Sequence, residues 1–211
     1  FEIEDAARVA AATMQRVKQD LARVVGILRA DGYPFAEEPL PGPTKAVAKD
    51  LAAIEKAVGA PLPLAFRAFH EIVGPVDLRR AKGTLAETSF NYLAAFDPLQ
   101  IAPSAVSRDF VATAVKASKR RWVEALRLPV TVMIAMSPAR KAEPDSEEDG
   151  PYELEAFGHG ADGVVRLGGR EIAPFVDYLR VTLADGNFGL LQRHERGPAL
   201  RDLLTAGRVL F

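Results

Sequence analysis

The stretch LAAIEKAVGAPLPLAFRAFHEIVGPVDL, from Leu51 to Leu78, leaves this chain the fewest conformational choices. Val47, Leu51, Ile54 and Val58 fall at offsets 0, 4, 7 and 11, which is one face of an α-helix. Thr44 follows the PLPGP breaker and is placed to cap that helix, its hydroxyl accepting from a free first-turn N–H. Gly59 can end the helix in a left-handed conformation that a Cβ would penalise. Pro61 and Pro63 fix φ on both sides of Leu62, so the exit path is stiff, and Pro63 suits the first turn of a second helix. Phe66, Phe69 and Ile72 or Val73 give that helix an apolar face, Gly74-Pro75 stops it, and Val76-Asp77-Leu78 reads as a short strand. The aromatic residues are expected in the core, where a buried Phe contributes about 2 kcal/mol. His70 lies beside this face with no second ligand near it, and is expected to be a partly exposed surface residue rather than a catalyst.

A chain of 211 residues is one large domain, able to bury about 70% of its unfolded surface. We divide it into an N-terminal helix and proline-rich arm (1–43), a core (44–190) and a C-terminal extension (191–211). The 27 basic and 28 acidic residues give no general affinity for nucleic acid or anionic lipid. The absence of Cys excludes disulfides, thiolate metal sites and cysteine nucleophiles, and suits a cytoplasmic protein. No apolar run approaches the ~20 residues that span a bilayer. The sequence opens on Phe1 rather than Met, so the true N-terminus is expected to be missing or processed.

Residues 3–30 read as one long helix with Met14, Val17, Leu21, Val24 and Leu28 on one face, Arg16, Lys18, Gln19, Asp20 and Arg23 on the other, and Gly32 as its stop. The apolar face either covers the core or forms a coiled-coil seam. Four prolines between 34 and 44 imply an extended arm. Phe96-Asp97-Pro98-Leu99 belongs to a strand ending near Ile101, and Pro103 can open a helix. That helix closes on the basic cluster Lys116, Lys119, Arg120 and Arg121, which suits its C-terminal dipole better than a nucleic acid. Val130 to Met136 reads as a central buried strand, and Tyr152, Leu154 and Ala156 alternate with Glu153 and Glu155 as a half-buried one. Ile172, Phe175, Val176, Leu179 and Leu183 predict a helix ended by Gly186, and Leu200, Leu203 and Leu204 a short terminal helix. This order predicts an α+β fold: a single antiparallel-rich sheet of about five or six strands packed by helices, with an added N-terminal helix.

No catalytic constellation emerges. His70, His159 and His194 lie on separate elements without metal-ligand spacing, and no nucleophile elbow or phosphate loop is present, so no cofactor or metal is expected. Gly158-His159-Gly160-Ala161-Asp162-Gly163 matches the dinucleotide-binding glycine pattern literally. That motif needs a helix after its third glycine. Val164-Val165-Arg166-Leu167 follows instead, so these glycines are expected to turn a hairpin, which Gly168-Gly169 ends. Glu143, Asp145, Glu147, Glu148 and Asp149 form an acidic loop, read either as a solvated segment or as a contact for a protein partner. It lacks the mid-loop Gly and terminal Glu of a calcium loop.

The run Ile54-Glu55, Gly59, Leu62-Pro63, Phe66-Arg67, Phe69, Gly74 resembles the opening signature of the SUKH superfamily, the Smi/Knr-like group. Pro75 stands where that signature has a second Gly. Phe175 to Arg180 resembles the closing helix of the bacterial subgroup, with Gly186-Asn187-Phe188-Gly189 in place of a Gly-Gly-Phe-like segment, so the likeness covers roughly residues 45–190. The resemblance implies a non-catalytic protein-binding module, in bacteria an immunity protein that neutralises a cognate toxin, often a nuclease. Asp145, Glu147, Glu148 and Asp149 are then the candidate partner contact, complementary to a basic surface. An intracellular scaffold or regulator of cell-envelope processes, or an enzyme with a site dispersed around His159 or His194, are the alternatives.

Overall fold

The computed structural model describes residues 2–58, 60–81, 97–101, 131–135, 150–155, 160–188 and 197–207. Helix α1 (Glu2–Ala30) runs along one side of the core. Its residues Met14, Val17, Leu21, Val24 and Leu28 are fully buried, and it packs chiefly on α3 (Leu64–Ile72), so the apolar stripe covers the protein's own core. Gly32, at φ 76°, ends it as expected. Asp20 departs from expectation: it is buried, not on the solvent face, and accepts from the Arg23 guanidinium at 2.8 and 3.1 Å. It sits three residues after Val17 and four before Val24, so helical spacing puts it on the flank of the stripe. Arg23 extends from there to the carbonyl of Ala206, 2.9 Å away, just beyond the last helix.

Helix α2 (Lys45–Val58) buries Val47, Leu51 and Ile54, and the Thr44 hydroxyl accepts from the Val47 N–H at 3.2 Å, as its capping role requires. Phe66 and Phe69 of α3 meet Phe175 of α4 (Phe175–Ala184) edge-on, with ring centroids 5.4 and 5.7 Å apart. The proline arm lies along the segment after α3 like an added strand. Ala36 donates to Arg79 O and Ala81 to Pro34 O, each at 2.8 Å, and Asp77 donates to Pro39 O at 3.1 Å. Gly74 (φ 86°) makes this crossing possible, since a Cβ there would stand 2.3 Å from the carbonyl carbon of Gly42.

The fold is α+β, but its described strands form two antiparallel sheets rather than the expected single one. β1 (Val76–Asp77) pairs with β2 (Gln100–Ile101). β3 (Thr131–Ala135), β4 (Tyr152–Glu155), β5 (Val164–Leu167) and β6 (Arg170–Pro174) form the second sheet in sequential order. β2 approaches β3 without joining its ladder. Asp97 turns into the left-handed region (φ 50°) and Pro98 follows, so the extended segment leading into β2 is cut short. Tyr152 and Leu154 point into the core while Glu153 and Glu155 are half-exposed, the alternation expected of β4. β3 was expected to be central, and among the described strands it heads the order, with Ile134 and Ala135 buried.

β6 corrects a second expectation. Gly168 and Gly169 do not end the hairpin; at φ 55° and 79° they turn a new one, and the chain folds back onto β5. The helix therefore begins at Phe175, not near Ile172. Ile172 sits at a register shift, between Ala173 opposite Val165 and Glu171 opposite Arg166, and is exposed. Gly186 (φ 70°) ends α4 as expected. In α5 (Gly197–Thr205) Leu200 and Leu204 are buried and Leu203 is exposed. Among the described residues no helix is long and apolar enough to cross a membrane. The expected helix from Pro103 and its basic end, Lys116 to Arg121, lie outside the described residues.

Candidate functional site: the Glu55–Arg67 corner

Where α2 hands over to α3, a half-buried carboxylate organises the chain. Glu55 Oε1 accepts from the Leu62 N–H at 3.2 Å and from Arg67 Nη1 at 2.9 Å. Arg67 also donates from Nε to Glu71 Oε1, one turn further on, at 3.0 Å. Pro61 and Pro63 have no N–H, which leaves Leu62 as the single donor between them, and Glu55 takes it. Pro63 precedes α3 rather than lying inside it, with φ −52° and ψ 138°, and its carbonyl accepts from the Arg67 N–H at 3.0 Å.

The same corner is clamped by a segment about a hundred residues further along the chain. The Ala65 N–H donates to the Ala161 carbonyl at 2.9 Å, and a Cβ on Gly163 would lie 2.8 Å from the Pro63 ring. Asp162 accepts from its neighbour Gly163 N–H at 3.0 Å and from Val176 N–H at 3.1 Å, so it caps the start of α4 across the β5–β6 hairpin. Burial pushes its carboxyl above the usual range, and the Val176 and Gly163 N–H groups pull the other way. A strand, β5, follows Gly163 directly and pairs antiparallel with β4, so the described part of the glycine-rich run, Gly160 to Gly163, leads into a strand and not into the helix a pyrophosphate site requires.

His70 is the largest departure from the sequence reading in this region. It was expected at the surface and is fully buried. Its ring stands edge-on to Phe66 and Phe69, with centroids 4.6 and 5.3 Å away, and neither ring nitrogen has a hydrogen-bond partner among the described residues. Burial alone pulls its pKa down to about 3, so it is neutral at any ordinary pH. A neutral imidazole closed off from solvent cannot relay a proton to a ligand outside.

A second buried polar group went unseen in the sequence. The Tyr152 hydroxyl donates to Asp97 Oδ2 at 2.5 Å, and Tyr178 lies against Tyr152 with centroids 5.6 Å apart. Burial, and then the Asp97 charge, raise the Tyr178 phenol well above its usual value. The sequence placed Asp97 and Pro98 in a strand, and nothing in it named the partners of the Asp97 carboxylate.

The candidate partner contact, Asp145, Glu147, Glu148 and Asp149, lies outside the described residues, as do His159 and His194. Among the described residues no group of His, Asp and Glu side chains could hold a metal ion. No protein-family model, no curated protein and no solved structure matches this chain.

Proposed function

We propose that this chain is a non-catalytic protein-binding module acting in the cytoplasm, and that its partner is a cognate toxin which it neutralises as an immunity protein. The observation that supports this reading is the corner. Glu55 and Arg67, the two charged residues of the SUKH-like run, hold each other and the Leu62 N–H, and the neighbouring His70 is sealed in the core. Residues engaged in this way build a surface and leave no group in the run free for acid–base or nucleophilic chemistry. Asp145, Glu147, Glu148 and Asp149 supply the charge that a basic nuclease would meet, which steers encounter more than it adds affinity.

The test is co-expression with any toxin encoded beside this gene. Growth rescue and a co-purifying complex are expected. Replacing the four acidic residues by Lys should slow association, most strongly at low ionic strength. Neither rescue nor complex with any adjacent toxin would overturn the proposal, and a housekeeping partner recovered instead would favour a cell-envelope scaffold.

A further inference from the structure

We propose that His70 is an acid-sensitive latch: proton uptake by its ring unlocks the packing of α3 against α1 and α4. The geometry sets this up. The side chain is fully buried, its two nitrogens have no partner among the described residues, and the rings of Phe66 and Phe69 stand against it. An imidazolium in that position would be an unpaired buried charge with both N–H groups unsatisfied.

Several charged groups on the packed elements are paired with one another. On α1, Asp20 holds Arg23; on α2, Glu55 holds Arg67; on α3 itself, Arg67 also holds Glu71. On α4, Asp177 pairs with Arg180, and Tyr178 is buried near Asp97. None of them compensates a charge on His70, whose titration is lowered by burial alone. Once the packing opens, the ring meets water and takes up a proton near its ordinary pKa of about 6.5. The closed form thus binds fewer protons than the open one between pH ~6.5 and about 3. The closed form is fully favoured above that window and loses ground as pH falls through it. The opening equilibrium constant should rise about 30-fold between pH 7.5 and pH 5 through this one group.

The experiment measures unfolding equilibria of the whole chain in urea at pH 7.5 and pH 5, for the wild type, His70→Leu and His70→Phe. The expected result is an unfolding equilibrium constant that rises about 30-fold more between pH 7.5 and pH 5 in the wild type than in either variant. Equal pH dependence in all three would overturn the proposal. Should neither variant fold, the imidazole nitrogens of the wild type, followed by NMR, decide it. A ring that stays neutral in the folded protein down to pH 5 supports the latch, and one that titrates near pH 6.5 removes it.

Discussion

Replacing Glu55 separates the two roles its carboxylate plays in the corner. One role is to satisfy the Leu62 N–H, which lies between two prolines, at 3.2 Å. The other is to pair with Arg67 at 2.9 Å. An unsatisfied buried donor costs about 1–3 kcal/mol. The ion pair is worth less, because the Arg67 side chain is 43% exposed and is shared with Glu71. Pairs screened in this way contribute about 0.2–1 kcal/mol. Glu55→Gln keeps an acceptor for Leu62 and removes the charge, so it should cost about 0.5–1 kcal/mol. Arg67→Ala removes the same pair and should cost a similar amount. Glu55→Ala loses both contacts and should cost about 1.5–3 kcal/mol, a melting shift of roughly 4–10 °C for a chain of this size. Urea denaturation with matched m-values reads all three. The reasoning fails if Glu55→Ala is no worse than Glu55→Gln, since the Leu62 donor would then need no protein acceptor.

Two further substitutions test how the corner is held. Gly74→Ala places a Cβ 2.3 Å from Gly42 C and 2.7 Å from Pro43 N at φ 86°, so strain and overpacking together should cost about 3 kcal/mol or more, seen as a lower urea midpoint. Asp162→Ala leaves the Gly163 and Val176 N–H groups without their acceptor and should cost about 1–2 kcal/mol, whereas Asp162→Asn, which retains an acceptor, should cost less than half of that in the same assay.

What the sequence made legible was local. The stripe of α1, the Thr44 cap and the stops at Gly32, Gly74 and Gly186 each depend on residues within a turn or two of one another, and each appears where expected, whereas Pro63 precedes α3 instead of entering its first turn. What stayed hidden depends on which surfaces meet. His70 lies four residues after Phe66 and three before Val73, so spacing alone places it on the buried face; the polarity of its ring argued for the surface, and α1 covers that face. Asp20 was misplaced by the same reasoning. β6 was hidden because Ile172 and Phe175 mimic helical spacing, while the left-handed pair Gly168-Gly169 and the N–H-less Pro174 decide the outcome. For the acidic contact at Asp145 to Asp149 only the sequence speaks.

Backbone strain offers one more way to weigh a dispersed active site against a binding surface, since strained residues gather where function demands them. Among the described residues the non-glycine residues at positive φ are Asp97 (50°) and Asn187 (70°), and they belong to one junction. The Leu99 N–H donates to the Asn187 carbonyl at 2.9 Å, Pro98 bridges to Phe188, and the Asn187 N–H donates to Thr182 O at 2.8 Å. The Asp97 carboxylate is meanwhile tied to Tyr152 on β4. The two left-handed residues therefore fasten the segment entering β2 to the end of α4 on one side and to the four-stranded sheet on the other. Strain used in this way has a structural cause: it attaches the small sheet to the large one where no ladder joins them. A cause of that kind gives no reason to place chemistry at the junction.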